Sequence, residues 1–371
     1  MSPKISILTP SFNHERFIGF FIESVLAQTF SDFECIIVDD CSSDGNVQEI
    51  QKYKDSRIKL VQHSYNRGIN ASLNTAFENS SGEYLVFLAG DDMLEPNALE
   101  VLHRALEQNP NAKAIYPTLI QIDKDNKRLG NTFCGVNKDR YELLHHLFMI
   151  GNALTSPGMS LRRSDFKEIL YPLDMSMCIF QDVQIHIKLL LRGGGVLISE
   201  KIVLYRYDPR TANISADNIY TFIRDELETS KLLDTFLEIK HITGGEELLR
   251  QIFEKEIKSQ NIVPHLETIE FFLGTMALLS SVKLRKMWGY HKIMEAYASK
   301  EGASKLKELY NFEFKDYLKL ANYFKDKDNL YIVRRKYKKY KRAFNVVLAA
   351  LSCLIFLYII LLLIIKIANE R

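Results

Sequence analysis

An α/β fold with a doubly wound parallel sheet is predicted by three features of the chain. Short apolar runs alternate with segments of helical spacing through the first hundred residues. Two of those runs, Cys35-Ile36-Ile37-Val38 and Leu85-Val86-Phe87-Leu88, lead into paired carboxylates, Asp39-Asp40 and Asp91-Asp92. At 371 residues, 47% of them hydrophobic with 18 Tyr and 22 Phe, the chain can bury a large core and has room for more than one part. Ligands of open α/β sheets bind beyond the carboxyl ends of strands, so the acids fall where a site is expected.

In chain order, Lys4 to Leu8 alternates as a strand and breaks at Thr9-Pro10-Ser11-Phe12-Asn13, and Phe17 to Leu26 carries apolar residues at helical spacing. Glu34 to Val38 is a second buried strand, followed through Cys41-Ser42-Ser43-Asp44-Gly45 by a helix to about Tyr53. Ile58 to Val61 gives a third strand, Ile69 to Phe77 a helix, Tyr84 to Leu88 a fourth strand and Asn97 to Leu106 a further helix. Successive side chains on extended backbone point to opposite sides, so Asp91 and Asp92 should diverge. One could hold a divalent cation and the other face a sugar hydroxyl, or both could cap the helix that opens near Glu95-Pro96. The turn after the first strand lacks GxGxxG, and no P-loop GxxxxGK[ST] occurs, which argues against a dinucleotide-binding dehydrogenase or a P-loop enzyme.

Taken together, Thr9-Pro10-Ser11-Phe12-Asn13, Gln28-Thr29-Phe30, Val38-Asp39-Asp40-Cys41-Ser42, Asn66-Arg67-Gly68 and Ala89-Gly90-Asp91-Asp92 resemble the inverting glycosyltransferases of family 2. The resemblance covers roughly Lys4 to Ser215. It implies the A-type nucleotide-sugar fold, with a mostly parallel central sheet, and a nucleotide-diphosphate donor, UDP-linked by preference. It further implies that Asp40 recognises the base, Asp91 the ribose and Asp92 a divalent metal, Mn²⁺ or Mg²⁺. Thr9, Pro10, Arg67 and Asn70 fall where the family contacts its nucleotide sugar. The family's aspartate-any-aspartate triplet reads Gly90-Asp91-Asp92 here, which keeps the metal-binding acid. Asn152 to Arg163, with Ser156-Pro157-Gly158-Met159-Ser160, resembles the segment beneath donor sugar and acceptor. Phe180-Gln181-Asp182-Val183 stands where the family carries a catalytic Glu-Asp pair, with Gln181 in place of Glu and Asp182 retained as base. An N-cap for the helix through Leu191 is the structural alternative for Asp182. Arg206, in Tyr205-Arg206, is the expected electrostatic partner of the diphosphate.

Ala114 to Ile122 is another strand candidate, and Val196 to Ile198 and Val203 to Tyr207 are the closing strands. Tyr141 to Ile150 is an amphipathic helix whose adjacent His145 and His146 lie about 100° apart, too divergent to share one ion, which assigns them to the surface. The five cysteines are odd in number and form no CxxC pair, as in a reducing compartment. Four parts are expected: a catalytic domain over 1–216, a helical extension over 217–333 of no assigned chemistry, a basic segment over 334–343, and a transmembrane helix over 344–365. Phe344 to Ile365 is twenty-two residues without a charge, about 33 Å as helix against a hydrocarbon core of ~30 Å. Arg334 to Arg342 holds seven Lys and Arg in nine residues, which predicts a single-pass membrane protein with its catalytic domain on the cytoplasmic side and anionic lipid against the basic run. Without those seven, the two basic residues beyond the apolar run and Glu370, 39 basic residues face 45 acidic ones, so nothing in the body calls for nucleic acid.

These features predict a membrane-anchored glycosyltransferase acting on a lipid-linked or oligosaccharide acceptor in cell-surface polysaccharide assembly. A non-catalytic nucleotide-sugar-binding scaffold, favoured by Gln181, and a nucleotidyltransferase are the alternatives.

Overall fold

The computed structural model describes residues 2–207 and 219–324, and beyond them Tyr337, Tyr340, Lys341 and Phe344. The predicted basic segment and spanning helix otherwise lie outside the described residues. Among the described residues no helix is long and apolar enough to cross a membrane. Residues 1–312 form one compact unit and 313–371 a second.

The first half runs as predicted: β1 (Ile5–Ser11), α1 (Ile18–Leu26), β2 (Phe33–Asp39), α2 (Asn46–Ile50), β3 (Ile58–Gln62), α3 (Ile69–Glu78) and β4 (Tyr84–Phe87). There follow β5 (Met93–Leu94), α4 (Ala98–Gln108), β6 (Ala112–Ile122), β7 (Arg128–Phe133), α5 (Arg140–Met149), β8 (Ser160–Arg162), the single turn α6 (Arg163–Asp165), α7 (Gln181–Arg192) and β9 (Gly194–Arg206). The two predicted closing strands are thus one long strand. The sheet order is β3-β2-β1-β4-β8-β6-β9-β5, with β7 paired to β6. It is parallel from β3 to β4, but β8 runs antiparallel to β4 and to β6, so the sheet is mixed rather than wholly parallel. The chain reverses its direction of travel at β1, between β2 and β4, which opens a crevice beyond their carboxyl ends.

Both faces are covered, as the apolar strands require. Alternate residues of β1, β2 and β4 feed two cores: Ile7, Cys35, Ile37 and Val86 meet α1 and α4, whereas Leu8, Ile36, Val38 and Leu85 meet α3, α5 and α7. The second core continues without a break into α8 (Ile219–Asp234), α9 (Gly245–Ile252) and α11 (Ile269–Leu278), joined by α10 (Glu254–Gln260), α12 (Lys283–Tyr297) and α13 (Lys300–Tyr310). Phe148 of α5 meets Phe236, Phe253 and Trp288 edge-on at 4.9, 5.0 and 5.8 Å. Phe271, Phe272 and Trp288 are buried. His145 and His146 are both half-buried: His145 Nε2 lies 2.9 Å from Glu256 Oε1 and ties α5 to α10, while His146 titrates below the usual histidine range because burial disfavours its charge. In the second unit the described residues form α14 (Phe314–Lys319) and a 3₁₀ turn ending at Phe324.

Candidate active site

Three strand ends make the rim. Ser11 pairs with Asp39 at the last register position of β1 and β2, and Asp40 N–H donates to Ser11 O (2.9 Å) just beyond. Asp39 is turned inward, accepting from Asn46 Nδ2 (2.7 Å) and Ser42 N–H (3.1 Å). Asp40 is 4% exposed and both of its oxygens already have donors: Oδ1 accepts from His63 Nδ1–H (2.7 Å) and Arg67 N–H (2.8 Å), and Oδ2 from Gly68 N–H (2.7 Å). A carboxylate has about four acceptor sites, so one is left for a base N–H. The first work of Asp40 is therefore to pin the turn into α3, where Gly68 adopts φ 87°, a backbone region that disfavours any side chain. That turn leaves the Arg67 side chain exposed at the crevice.

After β4 the acids diverge as predicted, with the half-buried Asp91 toward the rim and Asp92 inward at 2% exposure. Asp92 Oδ1 accepts the Arg206 backbone N–H (2.8 Å), and burial beside Asp91 raises its pKa well above the carboxylate range. Neither acid caps α4, which starts from Asn97. Arg206 does not face a diphosphate either. At 3% exposure its guanidinium donates to Asp91 O (2.7 Å), Asp123 O (2.6 Å) and Asn126 Oδ1 (2.6 Å) and stacks on Phe17 at 4.4 Å, so it fixes the backbone that carries Asp91. Thr9 is likewise withdrawn, fully buried with its hydroxyl 3.7 Å from Cys35 Sγ, while Pro10 offers its carbonyl to Gly90 N–H (3.1 Å) and so sets the approach to the acids.

The opposite wall is built on α7. Gly158 N–H donates to Phe87 O (2.7 Å) and Phe87 N–H to Met159 O (2.9 Å), which lays the Ser156–Met159 turn against the end of β4. From that turn Ser156 Oγ–H donates to Asp182 Oδ2 (3.1 Å), and Oδ1 accepts from Val183 N–H (2.7 Å). Asp182 does not cap α7, whose N-cap is Phe180; it sits in the first turn, half-buried, where the helix dipole favours a carboxylate while burial raises its pKa. Ser156 Oγ also lies 3.2 Å from His186 Nε2, and His186 Nδ1 lies 3.2 Å from the Tyr116 hydroxyl.

Two supports hold the loop before α7. Asn70 Nδ2–H donates to Asp174 O (2.7 Å), and Asn74 exchanges hydrogen bonds with Leu173 at 2.8 and 3.1 Å. Asn70 is 2% exposed and its Oδ1 has no donor among the described residues, an orphan that a ligand hydroxyl or N–H would satisfy. From the other side, Glu228 Oε2 of α8 accepts three successive backbone N–H groups, of Cys178 (3.0 Å), Ile179 (2.8 Å) and Phe180 (3.1 Å). Gln181, oriented by its neighbours, donates its amide to Ile179 O (3.3 Å) and Cys178 O, a role an ionised glutamate cannot fill.

The fold thus leaves Arg67 exposed and Pro10, Asp91 and Asp182 half-buried, and buries Thr9, Asp40, Asn70, Asp92 and Arg206. Sequence reasoning missed His63, His186, Tyr116 and Glu228. The signal for His186 was present in its spacing, four residues beyond Asp182 and so on the same helix face.

Residues 6–170 match the model of glycosyl transferase family 2. The chain is 40% identical over 97 residues to WfgD of Escherichia coli, a UDP-Glc:alpha-D-GlcNAc-diphosphoundecaprenol beta-1,3-glucosyltransferase, a stretch covering 26% of this chain and 38% of that protein. It is 28% identical over 293 residues to an uncharacterized glycosyltransferase of Haemophilus influenzae, covering 76% of this chain and 97% of the relative. The crystal structure of S. aureus TarS 1-349 with UDP-GlcNAc superimposes with a TM-score of 0.53 at 17% identity, covering 85% of this chain and 95% of that fragment, which extends the shared fold through the helical extension. Over residues 6–170 the chain is thus similar to glycosyl transferase family 2, and it spans well under half the length of WfgD.

Proposed function

We propose that this chain moves a sugar from a UDP-linked donor to a hydroxyl of a lipid-linked saccharide, with inversion at the anomeric carbon, in assembly of a surface polysaccharide. The observation that carries the reading is Asp182, a half-buried carboxylate in the first turn of α7, beside a turn bonded to the end of β4. In a single displacement the acceptor's O–H bond breaks, its proton passes to Asp182, its oxygen bonds to the anomeric carbon, and the bond from that carbon to the diphosphate breaks. The UDP donor is supported by the UDP-GlcNAc bound in the TarS complex and by the UDP-Glc donor of WfgD, and a diphosphate-lipid acceptor by the diphosphoundecaprenol-linked acceptor of WfgD.

Among the described residues no three His, Cys, Asp or Glu side chains converge on a metal position. A hard cation here would be held by one carboxylate and completed by the donor's phosphate oxygens. Asp91, open to the rim and without a side-chain hydrogen bond among the described residues, suits it better than the buried Asp92. Mn²⁺ or Mg²⁺ bound there supplies positive charge to the diphosphate.

A panel of UDP-sugars with Mn²⁺ and a diphosphate-lipid-linked saccharide tests the reading through released UDP and extended acceptor. Released pyrophosphate, or no turnover with any donor, would sink it. Calorimetry with UDP is expected to show the Mn²⁺-dependent gain in affinity falling tenfold or more in Asp91→Asn and less in Asp92→Asn; the reverse order would return the cation to Asp92.

The apolar segment 344–365 and its basic flank support a single cytoplasmic-side anchor. Deleting residues 334–371 should move the protein from the membrane pellet to the supernatant. A deleted protein that still pellets at high salt would show binding by another surface.

A further inference from the structure

We propose that His186 is a positioning residue for Asp182, acting through Ser156 and held in one tautomer by Tyr116. The inference rests on the reading of Asp182 as the base. His186 is fully buried and Tyr116 is 1% exposed, their rings meeting edge-on with centroids 5.2 Å apart. The four polar groups form a chain from Tyr116 on β6, through His186 on α7 and Ser156 in the turn before β8, to Asp182 on α7. Asp182, His186 and Tyr116 are the titratable groups that meet there.

The direction of the chain follows from counting protons. Burial pushes His186 down to about 3, so it is neutral and has one N–H; burial pushes the Tyr116 phenol upward, so it keeps its proton. Among the described residues the Tyr116 hydroxyl has no partner other than His186, so it must donate to Nδ1 or leave a buried donor unpaired, at a cost larger than an ordinary hydrogen bond is worth. Nδ1 is then the acceptor and the single imidazole proton lies on Nε2. Nε2–H donates to Ser156 Oγ, which leaves the one Ser156 proton for Asp182 Oδ2. Every donor has one acceptor, and the chain ends on the carboxylate. With Oδ1 on Val183 N–H and Oδ2 on Ser156, the rotamer of Asp182 is fixed and lone pairs remain for the acceptor hydroxyl. Donation from Ser156 also favours the ionised form, against the burial that disfavours it.

The inference is tested on the full-length protein by two readouts. In a ¹⁵N-histidine spectrum, His186 should appear as the neutral Nε2–H tautomer at neutral pH; the Nδ1–H tautomer, or a protonated ring, would overturn the chain. In kinetics with UDP-GlcNAc and UDP-glucose as probes, UDP release is measured against pH for Asp182→Asn, Ser156→Ala, His186→Phe and His186→Gln. His186→Phe should lower kcat about tenfold, the worth of one hydrogen bond, with KM for donor unchanged. Its acid limb should move toward neutral pH, and that of Ser156→Ala further, by up to about one pH unit, because the carboxylate loses support for its charge. Glutamine places an amide N–H near the old Nε2 and should recover most of the rate even if phenylalanine disturbs folding. A wild-type rate and pH profile in His186→Phe, with Asp182→Asn inactive, would overturn the positioning role and leave the base standing. A fully active Asp182→Asn would remove the base and this inference together.

Discussion

Asp182→Asn is expected to cut sugar transfer by 10² to 10⁴ while leaving the fold and UDP affinity intact. Asparagine matches aspartate in size, and its Oδ1 still accepts Val183 N–H or Ser156 Oγ–H, so the first turn of α7 keeps most of its bonds. What it loses is the ability to take the acceptor's proton, and a general base contributes about 3 to 5 kcal/mol to the barrier at 1.36 kcal/mol per tenfold. A residue that merely supported the helix start would leave the rate almost unchanged. Transfer to a supplied acceptor and UDP affinity by calorimetry are the measurements, and a mutant rate within threefold of wild type would sink the assignment.

Asp40→Ala is expected to lower unfolding free energy by about 3 kcal/mol and to weaken UDP binding at least tenfold. The substitution strands Arg67 N–H, Gly68 N–H and His63 Nδ1–H together, and each buried donor without an acceptor costs about 1–3 kcal/mol, less where water can enter. The turn that presents Arg67 and starts α3 then has nothing to fix its path. Urea unfolding and calorimetry measure the two effects. A stability within about 0.5 kcal/mol of wild type, the range of surface substitutions, would show that the turn holds without Asp40. Lost affinity alone would make it a ligand-binding residue only.

The parallel half of the sheet was legible because each of its strands is a compact apolar run closed by a turn signal, as in Glu34 to Val38 before Asp39-Asp40. The antiparallel additions were not. β7 is exposed along its whole length, and β5 and β8 are two and three residues long, too short for any periodicity. At the site, residue types and strand ends were readable but orientation was not. Side chains alternate along extended backbone, so the register that turns Asp91 outward buries Asp92, and only the placement of Arg206 against β4's end settles which is which. Tyr116 and His186 look like core positions on a strand and an amphipathic helix. Their partnership spans 70 residues of sequence, and only the packing of α7 against β6 makes it visible.

The three backbone N–H groups gathered by Glu228 have a consequence for any attempt at engineering acceptor preference by exchange of parts. The loop over 178–180 is a concave anion nest, and the anion filling it comes from a helix beyond the family-matched segment. A chimera joined near residue 216 inherits the nest without its occupant, and water or a stray anion would settle there with a different reach. The aim of Asp182 would then depend on the donor of the graft. Exchanges that keep α8 with the catalytic half, joining after Asp234, preserve the clamp and confine the change to the outer helices.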